Sequence, residues 1–198
     1  MDLIRQYFEE LAPRWDSLQS PGRAQIIDTL LGRYDNQFNP TGLILDVGTG
    51  TGTLIPIISR RYPYATVFSI DLAHQMLLQA RLKKKDAGLI QADALALPFT
   101  AQTFSGVICH NSFPHFQNKL QALIELRRVL QKDGNLLILH DNNRQQVNAI
   151  HQNAQSPVIR NDLLPAVNVF DQWLPQNGFI PTCLVDNEIH YVVAARAV

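Results

Sequence analysis

The sequence predicts an α/β fold in which a mostly parallel sheet ends in an antiparallel hairpin. From residue 43 onward, short continuous apolar runs alternate with helical patterns, which is typical of parallel strands covered by helices on both faces. Near the C-terminus, two apolar runs are separated only by Asp186-Asn187-Glu188. That connection is too short for a crossover, so these two strands should pair antiparallel.

Two helices are predicted before the first strand. Apolar side chains follow helical spacing over residues 2–18, which predicts an amphipathic helix that is broken near Pro13. A second helix is predicted over about residues 23–34, after the Pro21-Gly22 turn, and a turn-rich linker follows it.

The elements of the sheet then follow in order. Apolar runs of strand length predict strands at residues 43–47, 65–70, 89–92, 104–109, 135–139, 179–185 and 189–195. Helical periodicity predicts intervening helices at about residues 53–61, 73–85 and 119–130. We expect a single domain over residues 1–198, with a helical cap at 1–40, a core at 41–198, and a substrate-side segment at 141–165.

Composition excludes several classes of protein. Lys+Arg 17 balance Asp+Glu 17, which argues against nucleic acid as a partner, because non-specific binding needs uncompensated cations. The wide separation of Cys109 and Cys183 excludes a disulfide framework. The N-terminus lacks the apolar segment of a signal peptide, and no apolar run reaches bilayer length. We therefore expect a cytoplasmic protein without membrane insertion.

A glycine-rich loop follows the first predicted strand in LILDVGTGTG. Gly48, Gly50 and Gly52 form a GxGxG pattern, in which backbone without Cβ atoms lets a ligand approach closely. Because residue 53 is Thr, the GxGxxG fingerprint of dinucleotide binding fits less well. Asp46 precedes the loop, where its carboxylate would repel a pyrophosphate but accept hydrogen bonds from a cationic ligand.

Acidic residues also follow the next two predicted strands. Asp71 ends the second strand, where a carboxylate can accept both hydroxyls of a ribose, and Asp93 follows the third, where it can accept an adenine amino group. Each acid alone is more readily explained as a helix cap or a solvated side chain than as a binding residue. Acids at successive strand ends beside a glycine loop favour a nucleoside site.

These motifs together resemble a known family. DVGTGTG, SIDLAHQMLLQA, QADALALPF, FSGVICHNSFPHF and ELRRVLQKDGNLLIL, in this order, are similar to the class I S-adenosylmethionine-dependent methyltransferases, most closely to the ubiquinone/menaquinone-biosynthesis type. The resemblance covers residues 43–139 and includes YFEELAPRWD as a cap helix. One departure is Ser105-Gly106, where relatives often have an acid. The implied fold is Rossmann-like, with a seven-stranded sheet and a reversed C-terminal hairpin.

The resemblance implies S-adenosylmethionine as the cofactor and assigns residues to it. The methionine part would contact Asp46, the loop and the residues after the fourth strand, the ribose Asp71, and the adenine Leu72, Asp93 and Ala94. The residues expected to bind cofactor are Tyr7, Trp15, Asp46, Gly48, Thr49, Gly50, Gly52, Asp71, Leu72, Met76, Asp93, Ala94, His110 and Asn111. Aromatic rings attract a sulfonium, and Tyr7, Trp15, Phe113 and Phe116 are candidates, with core packing as the alternative.

Two regions are candidates for chemistry at the acceptor. His115 lies in the loop where relatives place substrate-facing residues, and it is the candidate general base; a histidine bonded to backbone is the alternative. The second region follows the fifth strand and predicts substrate contacts from His140, Arg144, Asn148 and His151. The last three share one helix face, with Arg144 suited to a carboxylate. The alternatives are a solvated helix face, or a metal site formed by His140 and His151 with Asp162 or His190.

The sequence thus predicts a methyltransferase that acts on a small-molecule acceptor. A methyltransferase of macromolecules ranks second, because the loop HNSFPHF differs from the Asn/Asp-Pro-Pro-aromatic pattern of nucleic-base amino methylases. A cofactor-binding module without catalysis ranks third, and an NAD enzyme is disfavoured by the glycine spacing.

Overall fold

The computed structural model describes residues 2–83 and 88–198. Its helices are α1 (Leu3–Leu11), α2 (Arg23–Gly32), α3 (Ile55–Arg61), α4 (His74–Leu82), α5 (Lys119–Val129), α6 (Arg144–Gln152) and α7 (Phe170–Gln176). Its strands are β1 (Leu43–Val47), β2 (Thr66–Asp71), β3 (Gly88–Gln91), β4 (Phe104–His110), β5 (Leu130–His140), β6 (Phe179–Asp186) and β7 (Tyr191–Ala197). Short 3₁₀ segments lie at Ala12–Leu18, Phe113–His115, Pro157–Ile159 and Val167–Val169.

The strands form a seven-stranded sheet in the order β3-β2-β1-β4-β5-β7-β6. The first five strands are parallel, and β7 inserts antiparallel between β5 and β6. The predicted fold class and the predicted hairpin are both confirmed. In this order the chain runs outward from β1 in both directions, so the carboxyl ends of β1, β2 and β4 border a crevice where such sheets bind ligands.

Helices cover both faces of the sheet because alternate residues of each strand point to opposite sides. In β1, Leu45 and Val47 join a cluster with α5 and α7, whereas Ile44 joins a second cluster with α2 and α3. A smaller cluster joins the N-terminal segment to α4 through Ala12 and Met76. These three clusters hold in place the helices and strands whose ends border the crevice.

Several predicted boundaries differ from the structure. The predicted first helix is α-helical only to Leu11 and continues as a 3₁₀ helix through Pro13, which confirms the predicted break. Strand β5 begins at Leu130 rather than 135, because Leu130 pairs with Phe104 before a register shift. The helix predicted to reach residue 85 ends at Leu82, and residues 84 and 85 of that prediction lie outside the described residues. Among the residues described, no helix combines the length and apolarity that crossing a membrane requires.

Candidate cofactor-binding site

A cavity lies at the carboxyl edge of the sheet and collects most of the predicted site residues. Residues from the ends of β1, β2 and β4 form its floor, and Ile4, Phe8 and Trp15 of the N-terminal segment cover it. The residues predicted to bind cofactor that line it are Trp15, Asp46, Gly48, Thr49, Gly50, Asp71, Leu72, Met76, Asp93, Ala94, His110 and Asn111. His115 lines it as well. Tyr7 and Gly52 do not belong to its lining.

The glycine loop owes its conformation to residues without a side chain. Gly48 has φ 75° and Gly50 has φ 57°, both in the left-handed region. A Cβ atom on Gly48 would lie 2.4 Å from the Cβ atom of Ser112. The main-chain N–H groups of Gly48 and Thr49 both donate to the carbonyl of Ile70 at 2.9 Å, which ties the loop to the end of β2. The loop is therefore a fixed backbone surface in the cavity wall.

Asp46 is a buried carboxyl group in the middle of the sheet that faces this cavity. Its side chain is 1% exposed, and its Oδ2 atom has no hydrogen-bond partner among the described residues. Burial, helped by the nearby charge of Asp71, raises its pKa to about 7 against the opposing effect of the Thr49 and Ser69 hydroxyls. A buried acceptor without a partner costs free energy, and a cationic ligand group would remove that cost.

Asp71 organises the glycine loop in addition to lining the cavity. Its Oδ2 atom accepts from the Gly50 N–H at 2.8 Å, and its Oδ1 atom accepts from the Ala73 N–H at 2.9 Å. Burial raises its pKa to about 6 in spite of these two hydrogen bonds. The sequence predicted the position of this acid at a strand end but not its bond to the loop. Its contact with a ribose stays a prediction.

Leu72, Asp93 and Ala94, which were predicted to contact adenine, line one end of the cavity together with Met76. The Oδ1 atom of Asp93 accepts from the Leu95 N–H at 2.8 Å, which leaves its other oxygen outside that turn. Met76 is 1% exposed and packs with Ala12 and Ala73. An apolar slot with one carboxylate at its edge is suited to a planar heterocycle with an amino group.

A charged cluster closes the other end of the cavity around Asp141. Arg23 donates to both oxygens of Asp141, from Nε at 3.0 Å and from Nη2 at 3.1 Å. The Asn111 amide also donates to Asp141, and Asn111 has φ 54°. His110 Nε2 lies 3.4 Å from Asp141 Oδ1. Burial raises the pKa of Asp141, but the neighbouring His110 ring and the hydrogen-bonded Arg23 guanidinium outweigh burial and hold that pKa well below its ordinary range.

Arg23 lines the cavity and was not predicted from the sequence. It lies 118 residues from Asp141, at the start of α2, and no local pattern signals such a contact. Phe8, Ser112 and Gln117 also line the cavity without having been predicted.

The substrate residues predicted after β5 lie outside the cavity lining, and burial or contacts with other residues explain their positions. His140 is 1% exposed inside the sheet, and burial lowers its pKa to about 3. Arg144 pairs with Asp186 of β6 at 2.6 Å. Asn148 bonds to the main chain of Leu164 through both its amide nitrogen and its oxygen. None of these three, nor His151, lines the cavity, which corrects the expectation that this helix face points into it.

Two predictions remain: the aromatic residues expected near the sulfonium, and the alternative metal site. Trp15 and Phe116 line the cavity, whereas Phe113 is fully buried in the core. Within residues 2–83 and 88–198, the structure brings together no group of three or more His, Cys, Asp or Glu side chains that could hold a metal ion.

The N-terminal segment is joined to the site by charged contacts. Both carboxylate oxygens of Glu9 accept from the N-terminus of α4, from the His74 N–H at 2.9 Å and the Gln75 N–H at 2.6 Å. Asp16 accepts from the Thr51 hydroxyl at 2.6 Å and pairs with Lys83. These contacts hold the cover of the cavity against the glycine loop and α4.

Comparison with known proteins agrees with this geometry. Residues 45–138 match the family described as a methyltransferase domain. A demethylmenaquinone methyltransferase of Thermus thermophilus is 38% identical over 144 residues, which cover 67% of this chain and 63% of that relative. A malonyl-[acyl-carrier protein] O-methyltransferase of Geobacter sulfurreducens is 42% identical over 134 residues, covering 66% of this chain and 50% of that relative. The chain thus spans less than two thirds of the length of either curated relative.

A solved structure shows the same fold over the whole chain. The structure of an S-adenosylmethionine-dependent methyltransferase of Thermotoga maritima, described as a possible histamine N-methyltransferase, superposes with a TM-score of 0.75. The superposition covers 98% of this chain and 99% of that one at 16% identity. Residues 45–138 are thus similar to the methyltransferase domain family, and the chain shares the fold of a solved S-adenosylmethionine-dependent methyltransferase.

Proposed function

We propose that this protein transfers a methyl group from S-adenosylmethionine to a small-molecule acceptor. Three curated relatives are named for demethylmenaquinone, a small molecule, and one is named for malonyl-[acyl-carrier protein]. The balanced charge of the chain argues against a nucleic-acid acceptor. The two cysteines, Cys109 and Cys183, are free, in keeping with a cytoplasmic setting.

The observation that carries this proposal is the buried Oδ2 atom of Asp46 beside the glycine loop, which has no hydrogen-bond partner among the described residues. A pyrophosphate would meet a negative charge there, whereas the α-ammonium group of S-adenosylmethionine would give that oxygen a partner. The same cavity holds Asp71 and Asp93 at the ends of adjacent strands, so the residues present fit the cofactor.

Each part of the cofactor has candidate residues. Asp46, Gly48 and Asn111 would hold the amino-acid part, and the Arg23 guanidinium would meet its carboxylate. Asp71 would bind the ribose. The adenine residues would be Leu72, Met76, Asp93 and Ala94, with Trp15 on the sulfonium side. When bound, S-adenosylmethionine supplies an activated methyl group, so the protein has mainly to orient the acceptor and exclude water.

We assign the acceptor side of the cavity to the wall formed by Phe8, His115 and Phe116. Residues 1–40 would cover the cavity as a cap on a core of residues 41–198. The segment 141–165 would act from behind the wall, since Asp162 bonds to His115. His115 remains the candidate general base.

Ligand binding tests the proposal directly. S-adenosylmethionine and its demethylated product should each raise the Tm of the full chain, because a ligand that binds only the folded state stabilises it, whereas NAD should not. A shift with NAD alone would refute the proposal. Product analysis across phenols, amines, thiols and carboxylates would then separate an enzyme of small molecules from a non-catalytic binding module. A salt-sensitive gel shift would instead favour a macromolecular acceptor.

A further inference from the structure

A histidine–aspartate pair lies in and behind the wall of the cavity. His115 Nδ1 and Asp162 Oδ2 are 2.8 Å apart. Asp162 is 6% exposed and lies outside the cavity lining, whereas His115 belongs to it. The other Asp162 oxygen accepts from the Gln117 amide at 3.4 Å. The pair therefore has one member facing the cavity and one member buried behind it.

This arrangement fixes the position of the proton on the His115 ring. A carboxylate oxygen only accepts hydrogen bonds, so Nδ1 must carry the hydrogen and donate it to Asp162. The Nε2 atom then keeps a free lone pair. A histidine held this way can accept a proton at Nε2, while the carboxylate stabilises the positive charge that results.

Two further rings restrict the orientation of His115. Its ring centroid lies 4.8 Å from that of Phe8, with an edge-to-face geometry, and 4.8 Å from that of His151. His151 donates from Nδ1 to the main-chain carbonyl of Asp162, and burial lowers its pKa, which keeps it neutral. His151 thus holds the main chain of Asp162 while its ring packs against His115.

We infer that Asp162 is a positioning residue that makes His115 a general base, with His151 fixing the segment that carries Asp162. The inference rests on the proposed methyl transfer and adds that the acceptor atom carries a proton that must leave, as in an ionisable hydroxyl group. In that step the O–H bond breaks, the proton binds Nε2 of His115, and the oxygen keeps the electron pair. The proton later passes from the imidazolium to solvent.

The acceptor wall next to His115 offers apolar surface to the body of a hydroxyl compound. Phe8 and Phe116 line the cavity together with His115, and apolar side chains of this kind bury the hydrocarbon part of a small molecule. The titratable groups that face His115 or its partner from the packed elements are Asp71, Lys119, His140, His151 and Asp162.

The test uses the cofactor-free full chain, so that it does not depend on methyl transfer. NMR of the histidine nitrogens should show His115 with hydrogen on Nδ1 in the wild type and should show loss of that tautomer in Asp162→Asn. Diethyl pyrocarbonate reacts with an unprotonated imidazole nitrogen. It should modify His115 about tenfold more slowly in Asp162→Asn, because the charged hydrogen bond that keeps the hydrogen on Nδ1 and leaves the Nε2 lone pair free is lost. Asp133→Asn, an exposed aspartate paired with Arg196, is the matched control.

Hydrogen on Nε2 in the wild type, or an unchanged rate of modification in Asp162→Asn, would overturn the inference. If Asp162→Asn does not fold, the wild-type spectrum alone decides between the two tautomers. Calorimetry with S-adenosylhomocysteine separates this result from the proposed function. Its binding should be the same in the wild type and in Asp162→Asn, and a wild type with the expected tautomer but no binding would refute the proposed function and leave the positioning role supported.

Discussion

Replacing Asp46 with asparagine should stabilise the ligand-free protein, and the gain should grow with pH. Burial raises the pKa of Asp46 from its ordinary value of 3.8 to about 7, so the folded protein holds this proton more tightly than the unfolded chain does. The stability contributed by the protonated group is therefore fully present below its ordinary pKa and is lost as the pH rises through about 7. Asparagine has a similar shape and cannot ionise.

The size of the effect follows from the same values. The interval between 3.8 and about 7 corresponds to roughly 4 kcal/mol for the fully ionised carboxylate, at about 1.4 kcal/mol for each tenfold change in proton affinity. Part of this loss has occurred by about pH 5, so the wild type should lose roughly 2–3 kcal/mol relative to Asp46→Asn between about pH 5 and about pH 9.

Urea unfolding of the two ligand-free proteins across this pH range measures the difference in free energy of unfolding. Asp133→Asn is the control for any general effect of replacing an aspartate. Asp133 is exposed and lies near the start of β5, away from the carboxyl edge of the sheet where Asp46 lies. A difference between wild type and Asp46→Asn that does not change with pH would refute the reasoning. The same variant should bind S-adenosylmethionine more weakly, because asparagine offers no charge to an ammonium group.

Three further substitutions test other parts of the site. Asp71→Ala should weaken cofactor binding and reduce stability by about 1–3 kcal/mol, because two main-chain N–H groups lose their acceptor; equal cofactor affinity by calorimetry would contradict the ribose assignment. Gly48→Ala should cost roughly 1–3 kcal/mol from its left-handed backbone alone, plus a clash with Ser112 that Ser112→Gly should partly relieve in urea unfolding. Glu9→Gln should lower the Tm by removing about 0.5–1 kcal/mol of charge interaction at the N-terminus of α4, whereas Glu10→Gln next to it should not.

Much of the fold could be predicted because its signals are local. Apolar runs and helical periodicity located the strands and the helices between them, and the short connection before Ile189 identified the hairpin. The early start of β5 at Leu130 was missed, because its pairing with Phe104 precedes a register shift that no apolar pattern encodes. A strand boundary that depends on pairing with a distant strand cannot be predicted from the residues of that strand alone.

The site could be predicted where its residues lie at strand ends. Asp46, Asp71 and Asp93 each follow or end a strand, and parallel strands bring their carboxyl ends to one edge. The polar face of α6 was also predicted, but not its direction. Arg144 points to Asp186, and the choice between the cavity and β6 depends on packing that helical spacing does not determine.

Asp46 also shows why some functional residues can be read from a sequence and others cannot. In LILDV an acid stands where a buried strand should carry an apolar residue, and its ionised form costs roughly 4 kcal/mol. Burial of apolar neighbours such as Ile44 and Leu45 stabilises the strand by about 1.5–3 kcal/mol each, which offsets that cost. A residue that violates the local pattern at such a cost is visible in the sequence and points to function. Arg23 and Asp162 violate no local pattern, because a helix start and a surface-like segment both accept charged residues, and only the folded chain reveals their partners.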